Sequence, residues 1–448
     1  MSEEDLTDAI KTIRTILTAR MLATPVGTLQ RETVADREAR GACWVSRVVL
    51  PAPGETDVLD LIIGAVKGLG NGNKQYTIPT IENVRAQWTG HRVGVTKHEP
   101  EPNISESEKF FHLKEEIKSP ITILYMHGGN NYLLGPAARR ATTSKLAQLT
   151  GGKCLSIQYR LAPQSPFPAA LLDCLIAYLT LLYPPSELPN ASVPARHIVF
   201  AGDSGGAGLA LSLVQLILYA RKQQGIETPM LEFHGQKVVL PMPAGLAFQS
   251  PSVDPQLTTL PSWAANFEYD TVPPDPPGYD AEFPTDEVWP SKPPRGHYYC
   301  ETSMLYHPLV CVMAADEWRG CPPIYMAIGS KERIVDAAKY FAQHVVTQGV
   351  SVLWEEFELM PHNWPMAFPS HRLSEKCYRS WAKACSSFAD GLNIQTRGSI
   401  TALKNLQERE LEVTGLTKIS KDEVGRLMRH RESSIRPFTG RQVDKYHL

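Results

Sequence analysis

The chain has no CxxC pair among its cysteines, almost no net charge, and no apolar run long enough to cross a bilayer. Each lack excludes something. The eight cysteines (Cys43, Cys154, Cys174, Cys300, Cys311, Cys321, Cys377 and Cys385) are scattered, several in apolar runs where a thiol behaves as a small hydrophobe. Neither a metal site nor a disulfide framework is indicated. With 45 Lys and Arg against 47 Asp and Glu, the formal charge of −2 argues against a nucleic-acid partner. The longest early apolar stretch, VLDLIIGAVKGLG at 58–70, is interrupted by Asp60 and is too short to span a membrane. The opening MSEEDLTDAIKTIRTIL is acidic and sets Leu6, Ile10, Ile13 and Leu17 at helical spacing, the pattern of an amphipathic helix rather than a secretion signal. The cytoplasm is therefore the default location, with peripheral membrane contact and a homodimer left open.

What is present is an alternating pattern. With 43% hydrophobic residues, 448 residues suffice for one large core or two moderate ones. From residue 121 onward, ITILYMH, KCLSIQYR, HIVFAGDS, GLAFQSP, PIYMAIGS and SVLWEEFEL are short apolar runs, separated by helix-like segments such as PAALLDCLIAYLTLLY and GLALSLVQLILYARKQ. That alternation predicts an α/β fold with a mostly parallel central sheet flanked by helices. Residues 1–115 lack it and read as an N-terminal cap and lead-in. The core is then expected in two parts, 116–254 and 311–393, interrupted by a cap insertion at 255–310. Within it, the stretch 271–296 is rich in proline and acid and is expected to be irregular. Residues 394–448 form a basic extension, where SKDE at 420–423 has capping-box spacing before Val424, Leu427 and Met428. A short helix is expected there, solvated or in contact with a partner.

Chemistry concentrates at the ends of the apolar runs. ITILYMHGGNNYLLGP carries His127, Gly128 and Gly129 straight after a strand of β-branched residues. Alone this is a loop; with a nucleophile elsewhere, bare glycines leave N–H groups free to face a developing oxyanion. HIVFAGDSGGAGLALSLVQLI supplies the nucleophile, because a strand ends in Gly202-Asp203-Ser204-Gly205-Gly206 and an apolar helix begins at once. A GxSxG nucleophile elbow needs that context, with glycines where the turn is tight and the N–H of Gly205 behind Ser204. A serine also needs a base, and the base an orienting acid. Among downstream histidines, His362 in ELMPHNW sits in a loop after a strand. His297 and His307 precede the acid candidates, His344 falls in a helix, and His371 begins one. After PIYMAIGS come Glu332, in the loop, and Asp336, near a helix start where an acid can simply cap. Glu332 is the better placed acid and Asp336 the alternative.

HGG at 127–129, YRLAPQSPFPAALLD at 159–173, GDSGGAG at 202–208, LAFQSPSVD at 246–254, PPIYMAIGSKERIVD at 322–336 and MPHNW at 360–364 occur in one order. In these motifs the chain resembles the hormone-sensitive-lipase-like branch of the α/β-hydrolases, over roughly residues 120–390. The resemblance implies a serine esterase without cofactor or metal: Ser204 as nucleophile, His362 as base, Glu332 at the acid position, and Gly128, Gly129 and Gly205 as oxyanion donors. It gives His127 and Asp203 bracing roles, and makes Tyr159, Arg160 and Asp173 scaffold. The chain departs from the pattern at Glu332, where the family usually has Asp, at Arg333-Ile334 in place of Pro-Leu, and at Asn130 in place of a third glycine. The implied partner is a small hydrophobic ester of short to medium acyl chain, acetate included. Trp263, Phe267, Tyr298, Tyr299 and Met304 are candidates for lining its cavity or packing the cap. Thioesterase, acyltransferase or amidase chemistry would use the same residues, and a non-catalytic ligand-binding protein the same fold.

Overall fold

A computed structural model describes residues 3–72, 74–255, 260–272 and 283–440 of the chain. Among these described residues twelve strands run in chain order as β1 (Cys43–Leu50), β2 (Val84–His91), β3 (Thr122–Met126), β4 (Lys153–Gln158), β5 (Ile198–Asp203), β6 (Met230–Phe233), β7 (Gln236–Val239), β8 (Gly245–Gln249), β9 (Ile324–Gly329), β10 (Val352–Phe357), β11 (Arg397–Thr401) and β12 (Glu408–Leu411). Ten of them form one sheet in the order β1-β2-β4-β3-β5-β8-β9-β10-β11-β12, while β6 and β7 pair as a separate hairpin. From β4 to β11 every pairing is parallel; β1, β2 and β12 run antiparallel to their neighbours.

The central strands β3, β5, β8 and β9 are buried at every position, as continuous apolar runs must be when both faces are covered. Their side chains divide with the period of two between separate cores. Leu124 and Met126 join a core with the helices Ala169–Leu182, Gly205–Gln224 and Val335–Val346. Ile123 and Tyr125 face the opposite core with Arg140–Thr150 and Arg372–Ala389. All residues of Ala169–Leu182 are buried, which explains a helix apolar on every side. Arg372–Ala389 instead repeats Leu373, Cys377, Tyr378, Trp381, Cys385 and Phe388 on one face, and its Trp381 Nε1 donates to Ala247 O of β8 at 2.9 Å.

The expected boundaries change at both ends. Residues 43–91, read as lead-in, supply two strands of the sheet, and residues 397–411 of the extension supply two more. The terminal helix is Lys421–Ser434 with Ser420 as its N-cap, solvated along most of its length and packed down through one face and the residues that follow it. Val424, Met428, Ile435 and Phe438 are buried, and the Phe438 ring stacks on Trp289 (5.9 Å between centroids) and meets Phe283 edge-on at 6.4 Å. The extension is thus packed onto the insertion. Part of the proline-rich stretch, 273–282, lies outside the described residues; 283–296 contains no helix or strand. All eight cysteines are free thiols. Among the described residues, no helix is long and apolar enough to cross a membrane.

Truncating a buried aromatic ring leaves a cavity as well as losing its transfer free energy. Phe438→Ala is expected to lower the unfolding free energy by about 3 kcal/mol in urea denaturation. A loss below about 0.5 kcal/mol would mean that the extension does not fasten the insertion.

Candidate active site

The carboxyl ends of the parallel strands deliver the site: residues 127–130 follow β3, Ser204 follows β5, Ser250 follows β8, Glu332 follows β9 and His362 follows β10. Ser204 adopts φ 50° and ψ −126°, a strained conformation for a residue with a side chain, and the helix Gly205–Gln224 starts immediately after it. The glycines around it are required by contact. A Cβ on Gly202 would lie 2.5 Å from Met126 O, and one on Gly206 would run into the carbonyls of Met126 and His127.

His362 joins the other two residues. Its Nε2 is 2.9 Å from Ser204 Oγ and its Nδ1 is 2.9 Å from Glu332 Oε2. The other Glu332 oxygen accepts from Ser250 Oγ and from Gly329 N, both at 2.6 Å. Glu332 is completely buried, and burial, its dominant influence, lifts its carboxyl above the ordinary value, countered in part by the imidazole. For His362, burial opposes the charged ring, yet the Glu332 carboxylate, with Asp270 and Asp203 beyond it, outweighs burial and holds the imidazole above its usual value. Asp336 lies apart, its Oδ2 accepting from Ser262 N at 2.8 Å. It caps the short helix Pro261–Ala265 across the chain rather than serving His362. His297 and His307 are buried elsewhere, His307 against Val66 O, and His371 is the N-cap of Arg372–Ala389.

The glycine loop differs from expectation at one residue. Gly128 N donates to Asp203 Oδ1 at 3.1 Å, so this N–H braces the elbow and is not offered to an oxyanion. Gly129 and Asn130 line the cavity instead. Among the described residues no hydrogen bond engages either of their N–H groups. Gly129 takes φ 101° and Asn130 φ 50°, so the asparagine adopts the left-handed backbone that a third glycine would favour. Gly205 faces this loop, with an added Cβ only 3.1 Å from Asn130 Cα, and as the first residue of its helix it carries an N–H without intrahelical acceptor.

Asp203 anchors the arrangement from beneath. Its fully buried carboxylate accepts from Tyr125 Oη (2.8 Å), from Arg139 Nε (2.9 Å) and from an Arg139 terminal nitrogen (2.7 Å). Burial alone would raise this carboxyl, but the Arg139 charge and these donors hold it below the ordinary range. His127 is buried, and burial pushes its imidazole down to about 4, so it stays neutral; its Nδ1 lies 2.7 Å from Gly128 O and its ring stacks on Tyr159. Arg160 forms a bidentate pair with Asp173.

Above the serine lies a cavity of about 490 Å³. Gly129, Asn130, Ser204 and His362 floor it, Trp263, Ile334 and Met366 wall it, and Ile13, Leu17 and Met21 of the helix Glu3–Ala23 roof it. Of the proposed lining aromatics only Trp263 reaches it. Tyr298, Tyr299 and Met304 are buried in the insertion, and Phe267 lies between the guanidinium groups of Arg14 and Arg333. Among the described residues no His, Cys, Asp or Glu cluster is arranged to hold a metal ion.

A family model described as alpha/beta hydrolase fold matches residues 123–366, more than half of the sequence. The chain belongs to that family. It is 29% identical over 251 residues to an acetyl-hydrolase of Streptomyces hygroscopicus, covering 55% of this chain and 69% of that protein. It is likewise 29% identical over 262 residues to an esterase of Acinetobacter venetianus, covering 56% and 71%. A solved esterase of the bacterial hormone-sensitive lipase family aligns with a TM-score of 0.49 at 20% identity, over 74% of this chain and 98% of that one. As an α/β-hydrolase, the chain brings together Ser204, His362, Glu332, Gly129 and Gly205 of the sequence candidates and leaves Asp336 and the Gly128 N–H outside. Sequence reasoning missed Asn130 with its free N–H at the cavity, Ser250 and Asp270. Ser250 alone carried a signal, as it stands directly after an apolar run, GLAFQ, just as Ser204 does after HIVFAGD.

Asp203→Asn would leave the Arg139 guanidinium buried beside an amide. It is expected to cost about 3 kcal/mol of stability in denaturant unfolding, with Ser204→Ala nearly neutral. Equal stability of the two variants would contradict the bracing role.

Proposed function

We propose that this hydrolase cleaves short- to medium-chain acyl esters of a hydrophobic alcohol through an acyl-enzyme on Ser204. By its family and its relatives named acetyl-hydrolase and esterase, the chain is a carboxylic-ester hydrolase. The observation that carries the finer reading is His362 at 2.9 Å from both Ser204 Oγ and Glu332 Oε2. In this reading His362 Nε2 takes the serine proton as Oγ attacks the ester carbonyl, and Glu332 holds the ring and stabilises the imidazolium. The N–H groups of Gly129, Asn130 and Gly205 would receive the oxyanion, each worth about 10²- to 10³-fold in rate. Collapse returns the proton to the departing alcohol, and water activated by His362 then releases the acid. The apolar roof and the modest volume support a small substrate with an apolar alcohol, and the acetyl-hydrolase relative supports acetyl among the acyl groups.

Initial rates on a p-nitrophenyl ester series test the substrate class. Activity is expected to peak between acetate and octanoate and to fall toward palmitate, with Ser204→Ala losing about 10⁴-fold or more. A preference for palmitate, or for matched amides or thioesters, would contradict it. The pH profile tests the base. Only neutral His362 can accept the serine proton, and its pKa is raised, so activity is retained above that pKa and lost as pH falls through it. The acid limb of kcat/KM should therefore have its midpoint above about 6.5. Glu332→Gln removes the charge that raises it, so that limb should move to lower pH while kcat falls about 10³-fold or more.

A further inference from the structure

One buried carboxylate at the site has no part in the steps above. Asp270 belongs to the insertion, following the turn Phe267–Tyr269, and is fully buried. A carboxylate so placed must be satisfied by donors. Its Oδ1 accepts from His362 N at 2.7 Å and from Thr271 N at 2.7 Å, and its Oδ2 accepts from Arg333 N at 2.6 Å. Two of these three donors are the main chain of the base itself and of the residue after the acid.

The surrounding insertion holds the same residues by their carbonyls. Asn266 Nδ2 donates to Glu332 O (2.9 Å), Ser262 Oγ to Arg333 O (2.8 Å) and Thr271 Oγ1 to His362 O (3.2 Å). The two loops also meet directly, Lys331 N donating to Met360 O at 3.1 Å. Asp270, however, ties together the residues at the carboxylate–imidazole contact. Charged groups approach the His362 ring from three elements: Glu332 after β9, Asp203 at the end of β5, itself paired with Arg139, and Asp270 from the insertion.

We propose that Asp270 is a positioning residue for the reaction: from outside the core it locks the base loop to the acid loop and keeps a second negative charge beside the imidazole as that ring becomes cationic. This rests on the reading of Ser204, His362 and Glu332 as nucleophile, base and acid. An asparagine at 270 keeps the size and one acceptor but removes the charge and turns an amide N–H₂ toward a main-chain donor. The loss should fall on the transition state and leave ground-state binding little changed.

The test compares the full-length protein with Asp270→Asn, Asp270→Ala and Ser204→Ala on p-nitrophenyl butyrate, measuring kcat, KM and the pH profile. Asp270→Asn is expected to lower kcat about 10- to 100-fold with KM within about twofold, and to move the acid limb to lower pH. Asp270→Ala should lose more. Wild-type kcat and an unmoved acid limb in both variants would overturn the inference while an inactive Ser204→Ala left the triad reading standing. Full activity in Ser204→Ala would instead remove the triad reading. Should neither Asp270 variant fold, amide hydrogen exchange of the unaltered protein decides. Slow exchange at both Arg333 and His362, slowed further by a phosphonate on Ser204, supports the clamp, and rapid exchange at either overturns it.

Discussion

The backbone of Ser204 is the constraint on which the rest of the structure depends. A non-glycine residue at φ 50° and ψ −126° costs about 1–3 kcal/mol and persists only where its surroundings over-determine it. Here β5 is hydrogen-bonded on both sides, to β3 and β8, and the following helix is buried along most of its length. Gly202 and Gly206 let the β3 carbonyl end approach the turn, and Ser252 N binds Ser204 O at 3.0 Å from the other side. The strain is therefore spread over the centre of the sheet. Its result is a hydroxyl lifted above the sheet, facing an imidazole from β10 and a loop from β3.

Two buried carboxylates flank that serine and are set apart by their partners. Asp203 faces the permanent charge of Arg139 and three neutral donors, so its charge is fixed and its work is geometric. Glu332 faces an imidazole that can gain and lose a proton, with Ser250 and Gly329 holding the remaining oxygen. Although glutamate is one methylene longer than aspartate, both its oxygens are engaged. Arginine at 333 supplies an N–H that a proline would lack, and Asp270 takes it.

Much of this was legible in the sequence, and the exceptions have physical reasons. The six apolar runs from 121 to 359 became β3, β4, β5, β8, β9 and β10 because strands buried on both faces leave continuous hydrophobic runs. β1 and β12 are the sheet's edges; Arg47 and Val49 stay at least partly open in one, and EREL in the other is charged, as edge strands tend to be. Such half-solvated strands leave no run to read. Ser204 and His362 were legible because the elbow's glycines and a loop histidine after a strand have local signatures. The engagement of Gly128 by Asp203 spans 75 positions, and that of His362 by Asp270 spans 92, so no spacing rule reaches either. The terminal helix was visible from its cap, yet its packing depended on Trp289 and Phe283, far away in the chain.

Ser204 is the proposed nucleophile, its Oγ 2.9 Å from His362 Nε2. The most direct measurement is peptide-mapped mass spectrometry after brief exposure to a fluorophosphonate, for the unaltered protein and for His362→Ala. A single adduct on Ser204, formed quickly in the first and suppressed in the second, is the result the account predicts. Labelling at another residue, or equal labelling without His362, would contradict it.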